Sequence, residues 1–254
     1  MTERPLILIS NDDSINAPGL RVLVDCVKNI GNVWVVAPEK PQSGMSSAMT
    51  VNGPLRIKEY PEYNGAKMYS VDGTPVDCIK LALHHIVPKK PDIIVSGVNH
   101  GSNAGNNVLY SGTMGAAMEG AMIGIPAIGF SLLSHSLSAD FSHCTDYITS
   151  ITETILREGL PYRTCLNINF PKNKINGLKV VRTALSHWTE EYREYVDPHG
   201  KPFYWLTGSM INEEPDSDDT DLYWLDSNFA TIVPTQIDQS DLGLIPSVKE
   251  LLEE

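Results

Sequence analysis

The sequence predicts an α/β protein built on a doubly wound, mostly parallel sheet with a β-rich extension. Short apolar runs, such as residues 6–9 and 33–37, alternate with segments whose apolar residues recur at helical spacing. After about residue 180 this alternation stops, and aromatic residues interleave with charged ones. The change predicts a core over residues 1–180, and a hairpin extension with a C-terminal segment over residues 181–254, within one domain.

The elements of the core follow from local patterns. Residues 6–9 form the first strand, and the spacing of apolar residues after Pro18 predicts a helix to Val27. A second buried strand over 33–37 ends at Pro38. Thr74 and Pro75 are typical of a helix start, and the buried stripe of that helix comprises Ile79, Leu83, Ile86 and Val87. Further elements are strands over 92–97, 127–130 and 165–170 and helices over 113–123 and about 143–158.

The extension has a different character. Residues 197–200 (Asp-Pro-His-Gly) indicate a hairpin turn, and no clear helix is expected until the last few residues. Its aromatic residues pack either on the protein's own core or on another subunit. The acid-rich stretch 213–221 lacks the glycine and the terminal Glu of an EF-hand, so we expect a solvated loop there.

Charge and cysteine content restrict the partners and the compartment. The 31 acidic and 19 basic residues give a net charge of -12, which argues against a protein that binds long nucleic acids. A small anionic substrate would then need a metal ion or backbone N–H groups. The four cysteines show no C-x-x-C spacing, and no apolar run is long enough to span a bilayer. We therefore expect a cytoplasmic protein without membrane contact.

Three polar loops follow predicted strands, at the edge where doubly wound sheets bind ligands. The first contains the adjacent carboxylates Asp12 and Asp13. If the pair is buried, it is tolerated mainly with a cation beside it; otherwise it is an ordinary solvated pair on the surface. The second, residues 41–47, suits phosphate or metal, or is an ordinary Ser/Gly turn. The third, residues 96–113, is crowded with Asn and Gly and leads into a helix whose N–H groups suit an anion.

Known nucleotide and zinc motifs are missing from the sequence. It contains neither G-x-x-x-x-G-K-[ST] nor G-x-G-x-x-G, and no H-x-x-x-H pair. The available ligands are carboxylates, hydroxyls and amide oxygens. This set suits Mg²⁺ or Mn²⁺ better than Zn²⁺.

Taken together, these motifs resemble the stationary-phase survival protein SurE family over nearly the whole chain and in the family's order. The resemblance rests on Asn11-Asp12-Asp13, Ser43-Gly44-x-Ser46, Gly73-Thr74-Pro75-x-Asp77, Ser96-Gly97-x-Asn99-x-Gly101-x-Asn103, Tyr110-Ser111-Gly112-Thr113, Asn167-x-Asn169 and Asp197-Pro198-x-Gly200.

The resemblance implies a Rossmann-like core whose hairpin extension is used in homodimers or homotetramers. It also implies a phosphatase that acts on 5′- and 3′-nucleoside monophosphates with one divalent metal ion per subunit, and short polyphosphate as a further substrate. The implied metal ligands are Asp12, Asp13, Ser43 and Asn99, of which Asp12, Asp13 and Asn99 are also the catalytic residues. The residues implied to surround the substrate phosphate are Asn11, Gly44, Asn103, Ser111, Gly112 and Thr113.

The chain departs from the family pattern in one motif and at three single positions. The Thr-Arg-x-Gly pattern expected near residue 183 is poorly kept in Arg182-Thr183-Ala184-Leu185. The family commonly has Gly where Ser14 stands, Arg in place of Gln42 and often Asp in place of Asn107. The last two changes remove a cation and an anion, which could alter substrate preference or metal affinity.

Hydrolysis by a metal-activated water is the expected mechanism. An aspartyl-phosphate on Asp12 or Asp13 is the second choice, because both acids are needed as ligands. Two other functions stay open at this point: a nucleoside hydrolase, which would release free base, and a non-catalytic sensor of nucleotide or metal.

Overall fold

The elements of the predicted core are present in the computed structural model, which describes residues 4–136 and 138–253. The strands are β1 (Leu6–Ser10), β2 (Asn32–Pro38), β3 (Ile57–Tyr63), β4 (Ala66–Val71), β5 (Ile93–His100), β6 (Ala127–Leu132), β7 (Thr164–Phe170), β8 (Leu178–Val180), β9 (Ser186–Thr189), β10 (Tyr192–Val196), β11 (Pro202–Leu206), β12 (Ser209–Asn212) and β13 (Ala230–Gln236). The α-helices are α1 (Pro18–Val27), α2 (Pro75–Leu81), α3 (Gly112–Met122), α4 (Thr145–Glu158), α5 (Asp221–Asp226) and α6 (Ile245–Leu252).

In the described part of the chain, nine strands form one sheet in the order β3-β4-β2-β1-β5-β6-β7-β13-β8. All neighbours from β4 to β7 are parallel, whereas β3 is antiparallel to β4 and β13 is antiparallel to β7. This arrangement confirms the predicted fold class. The chain runs from β1 outward to β2 and later returns to place β5 on the other side of β1. A crevice therefore opens beyond the carboxyl ends of β1 and β5.

Helices cover both faces of the sheet, and alternate side chains of β1 face each layer. Ile7 and Ile9 pack in one core cluster with residues of α1 and α4. Leu8 packs in the other cluster, with residues of α2 and α3. Because successive strand residues point to opposite faces, a continuous apolar run is what a strand buried on both sides requires.

Helix α2 begins as predicted, with a capping box. The Thr74 hydroxyl accepts a hydrogen bond from Asp77 N at 3.2 Å, and the Asp77 carboxylate accepts one from Thr74 N at 2.9 Å. The regular helix ends at Leu81 and continues as one π-helical turn over Ala82–Ile86. The predicted buried stripe is therefore only partly correct: Ile79 is buried, whereas Leu83, Ile86 and Val87 are half-buried, although all three pack against the core cluster that contains Ile79.

Two elements were absent from the expectations. The hairpin β3–β4 turns at Asn64-Gly65, where both residues have positive φ. Helix α5 lies in the segment expected to lack helices, and its first residue, Asp221, is fully buried rather than solvated. The expectation of a solvated loop over 213–221 is thus wrong for Asp221, whose carboxylate accepts hydrogen bonds from Gly105 N and Ala184 N, each at 2.9 Å.

The extension contains the predicted hairpin and also contributes to the main sheet. β10 and β11 pair antiparallel around residues 197–200, and every residue of both strands is exposed. β9 pairs with β12, and β13 joins the central sheet beside β7. Over residues 4–136 and 138–253, none of the helices has the length and apolar character that crossing a membrane requires.

Candidate active site

Asp12 lies directly beyond β1 and packs against the start of α3. Its Oδ1 accepts a hydrogen bond of 2.5 Å from Thr113 Oγ1. A Cβ added to Gly112 would lie 2.8 Å from the Cβ of Asp12, so only glycine allows this close approach. The carboxylate is consequently held beside the N-terminus of a helix, where the backbone dipoles favour negative charge.

The environment of Asp12 nevertheless disfavours its charged form. Burial raises the pKa of Asp12 from 3.8 to about 6, and the nearby charge of Asp13 also raises it, while the hydrogen bond from Thr113 opposes the shift. An ionised carboxylate in this buried position therefore costs free energy unless a cation lies beside it.

Asp13 is bound to the end of β5. Its Oδ2 accepts a hydrogen bond of 3.0 Å from His100 N and lies 3.1 Å from His100 Nδ1. The other carboxylate oxygen, Oδ1, has no hydrogen bond among the described residues. The two adjacent acids are thus fixed to different elements, Asp12 to α3 and Asp13 to β5.

Ser14 completes this turn with a strained backbone. Its φ of 100° lies in a region that favours glycine. The carbonyl of Ser14 accepts a hydrogen bond of 3.0 Å from Asn11 Nδ2, so the amide of Asn11 supports the turn.

The loop that contains Ser43 and Gly44 is bound at both ends. Gln42 N donates to the carbonyl of Asp12 at 2.7 Å, and Ser46 N and Oγ donate to the carbonyls of Tyr110 and Leu109. The backbone of Gly44 has a φ of 76°, and a Cβ there would meet nothing within 4 Å. These contacts place Ser43 and Gly44 at the crevice, facing the loop that precedes α3.

Asn99 and Asn103 are oriented by hydrogen bonds to neighbouring groups. Asn99 Nδ2 donates to the carbonyl of Gly101 at 3.0 Å, which leaves its amide oxygen available as a ligand. Asn103 Nδ2 donates to Ser131 Oγ at 2.7 Å, and Asn103 N donates to Asn169 Oδ1 at 2.8 Å. Asn167 closes the network by donating to the carbonyl of Asn103 at 2.8 Å.

Helix α3 begins next to the crevice, directly after Tyr110 and Ser111. The hydroxyl of Ser111 caps the helix by accepting a hydrogen bond of 3.0 Å from Met114 N. The first α-helical bond runs from Gly115 N to the carbonyl of Ser111, so the N–H groups of Gly112 and Thr113 precede the helical ladder. Such groups bind anions without a basic side chain.

These elements enclose a cavity of about 260 Å³ beyond the carboxyl ends of β1 and β5. Neither Lys nor Arg is among the described residues that line it. Of the residues named from the sequence, Asp13, Asn11, Gly112 and Thr113 are not in its wall, although each adjoins or contacts a residue that is. Those that line it are Asp12, Ser43, Gly44, Asn99, Asn103 and Ser111.

Several lining residues were missed from the sequence. His100 was part of the Asn-rich loop without a role, and Tyr110 was used only as a motif residue. Asn107 was noted only as a departure from the family pattern that could alter substrate preference or metal affinity. The sequence did offer a signal for these residues, because they lie between the predicted strand over 92–97 and the predicted helix over 113–123, at the edge where ligands bind. His135 follows β6, and its ring packs against Gly101, a contact across 34 positions that no local pattern indicates.

Fold and site together define a Rossmann-like α/β protein with an acidic, amide-rich ligand cavity at its switch point. The Survival protein SurE family matches residues 7–190. The chain therefore belongs to the SurE family, which the resemblance of its motifs had indicated.

Similar proteins cover almost the full length. The 5′-nucleotidase SurE of Christiangramia forsetii is 48% identical over 244 residues, 93% of this chain and 92% of that protein. The 5′-nucleotidase SurE of Phocaeicola vulgatus is 42% identical over 248 residues, 97% of this chain and 96% of that protein. The crystal structure of the SurE protein from Aquifex aeolicus superposes with a TM-score of 0.84 at 34% identity and covers 97% of this chain and 99% of its own.

Proposed function

We propose that the protein is a divalent-metal-dependent phosphomonoesterase that hydrolyses 5′- and 3′-nucleoside monophosphates to nucleoside and inorganic phosphate, with short polyphosphate as a further substrate. The observation that carries the proposal is the buried carboxylate of Asp12, which borders the cavity and is bonded to Thr113 at the start of α3. The names of the relatives from C. forsetii and P. vulgatus support a nucleotide as the substrate.

The donor atoms at the cavity fit Mg²⁺ or Mn²⁺. Among residues 4–136 and 138–253, no group of three or more His, Cys, Asp or Glu side chains forms a metal cluster. The proposed ligand set has only two carboxylates, with neutral oxygens for the rest, which suits an ion that keeps several waters. The raised pKa of Asp12 supports this fit, because a bound cation would restore the ionised form. The proposed ligands are Asp12, Asp13, Ser43 and Asn99.

When bound, the ion would supply positive charge against the phosphate and lower the pKa of a water. The chain's own contribution is positioning. The N–H groups of Gly112 and Thr113 stabilise negative charge on the phosphate oxygens, and Ser111 holds the helix start that presents them. Asn103, fixed by Ser131, supplies a further polar wall.

We assign no covalent intermediate to the reaction. Oδ1 of Asp12 is engaged by Thr113, and Oδ2 of Asp13 is engaged by His100, so both acids are arranged as fixed ligands rather than as free nucleophiles. Water adds to phosphorus as the bond from phosphorus to the nucleoside oxygen breaks. The nucleoside oxygen gains one proton, and inorganic phosphate leaves.

Location and assembly are also part of the proposal. All four cysteines are free thiols, in keeping with the cytoplasm. The hairpin β10–β11 exposes Tyr195, Phe203 and Trp205 on one face, an apolar surface that supports its use in a homodimer or homotetramer. Light scattering of the wild type and of Trp205→Glu tests this: the variant should have a lower molar mass, and an equal monomeric mass for both would contradict it.

The experiment for the proposed activity is product analysis on a panel of 5′- and 3′-nucleoside monophosphates and short polyphosphate. Assays contain Mg²⁺, Mn²⁺ or a chelator. We expect inorganic phosphate and intact nucleoside with either metal and no turnover in chelator. Release of free base would instead identify a nucleoside hydrolase, and tight binding without turnover in saturating Mn²⁺ would identify a sensor.

A further inference from the structure

A second cavity, of about 370 Å³, adjoins the catalytic one. Gly44 and Tyr110 line both, so the two cavities share a wall. The catalytic cavity is lined by hydroxyls, amides and Asp12. The second is lined instead by Trp188, Tyr192 and Leu206 of the extension, together with Glu191 and Thr207. The combined trench thus has one polar end and one aromatic end.

The aromatic end is tied to the catalytic loop. Trp188 Nε1 donates a hydrogen bond of 2.8 Å to Asn107 Oδ1, and Asn107 itself lines the catalytic cavity. The neighbouring residue Asn106 binds Ser186 through two hydrogen bonds, of which the one from Asn106 N to Ser186 Oγ is 2.9 Å long. The indole of Trp188 is therefore positioned by the loop that follows β5 and carries Asn103.

The aromatic residues of this cavity are exposed to solvent. Tyr110 is 60% exposed, Tyr192 is 69% exposed and Trp188 is 37% exposed. Exposed rings that surround a cavity offer stacking surfaces to a flat, weakly polar group. Glu191 adds a negative charge at this end, which repels a phosphate and so favours placing the phosphate at the other end.

We propose that the aromatic cavity is the nucleobase subsite: it stacks the base of a nucleoside monophosphate whose phosphate lies in the catalytic cavity. The inference rests on the proposed function, and it gives the aromatic residues of the extension a role in substrate binding. Stacking tolerates all four bases, so the subsite selects nucleotides over phosphomonoesters that lack a base.

The test compares kcat/KM for adenosine 5′-monophosphate and for ribose 5-phosphate, which has the same phosphate and sugar but no base. We expect Trp188→Ala and Tyr192→Ala each to lower the nucleotide-to-sugar ratio of kcat/KM by about 5-fold to 150-fold, the range for loss of one stacking partner. Trp188→Phe keeps a ring without the N–H and should give an intermediate ratio. Tyr162→Ala is the matched control, because Tyr162 is an exposed tyrosine that lines neither cavity.

The outcomes separate the subsite from the proposed activity. If the wild type hydrolyses neither compound, the proposed function fails. If it hydrolyses both and the variants keep the wild-type ratio, or lose both activities equally, the subsite assignment is overturned. A change in molar mass on Trp188→Ala with an unchanged ratio would also overturn it, since the cavity would then hold a second copy of the chain.

Discussion

Replacing Asp12 by Asn should stabilise the metal-free protein at neutral pH. The pKa of this buried carboxyl is raised from 3.8 to about 6, so the folded state binds the proton more tightly than the unfolded chain does. The difference of about 2 pKa units corresponds to about 3 kcal/mol of lost stability once the pH is well above 6. This penalty is absent below the unfolded value and develops between about pH 4 and pH 6.

Thermal unfolding in the presence of a chelator measures this effect. At pH 8 the midpoint of Asp12→Asn should exceed that of the wild type by roughly 6–12 °C, given about 2–4 °C per kcal/mol for a chain of this size. At pH 4 the two midpoints should coincide. Asp226→Asn, which changes an exposed aspartate, should match the wild type at both values of pH.

Addition of Mn²⁺ extends the same experiment. A ligand that binds only the folded state raises the midpoint, so the wild type should gain stability and Asp12→Asn should gain much less. A midpoint for Asp12→Asn at pH 8 that is equal to or below the wild-type value in chelator would refute the reasoning, because it would mean that the buried charge costs nothing.

Three further predictions test other parts of the site and fold. Gly112→Ala should lower kcat about 100-fold, because the added Cβ would displace Asp12. Gly53→Ala is the control and should keep the wild-type kcat, because a Cβ at Gly53 meets nothing within 4 Å. Equal kcat values for the two variants would contradict the close approach of Gly112 to Asp12. Asn169→Ala should lower the free energy of unfolding in urea by about 1–3 kcal/mol, since it leaves the buried N–H of Asn103 without its acceptor; the exposed Asn173→Ala serves as control, and the same loss in both would contradict this role. Glu214→Gln should lower the urea midpoint of unfolding slightly at pH 7 and not at pH 2. The reason is that Arg182 lowers the pKa of Glu214 from 4.5 to about 2, so the ion pair stabilises the fold only at a pH above these values. A difference between variant and wild type that persists at pH 2 would argue against the ion pair.

Much of the core follows from local sequence patterns. Residues 6–9 are apolar without alternation, a pattern that a strand requires only when helices cover both of its faces. The helix starts at Pro18 and Thr74 follow from the conformational and capping preferences of these residues themselves. The loops after β1, β2 and β5 could be placed together because parallel strands end at one edge. The turn Asn64-Gly65 carried an equally local signal for the β3–β4 hairpin that the expectations overlooked.

The remaining features depend on contacts between distant residues. Asp12 and Thr113 are 101 positions apart, and Asp221 finds its partner Gly105 across 116 positions. No periodicity encodes such pairs, so Asp221 looked like one more acid in a solvated loop. Helix α5 has only six residues, too few to show a helical repeat.

The packing partner of the aromatic extension could not be predicted from the sequence either. Interleaved aromatic and charged residues suit a hairpin packed on its own core as well as one packed on another subunit. The structure decides how this segment is attached, because Trp188 binds Asn107 and Ser186 binds Asn106 in the loop that follows β5. In this chain the amide oxygen of Asn107 accepts the hydrogen bond of the Trp188 indole N–H.

The most direct test of the central claim, that Asp12 holds the cation and so enables phosphate release, is the rate of inorganic phosphate release from nucleoside monophosphates in saturating Mn²⁺. The wild type and Asp226→Asn should release phosphate at equal rates, and Asp12→Asn should release none above background. A near-wild-type rate for Asp12→Asn would contradict the claim.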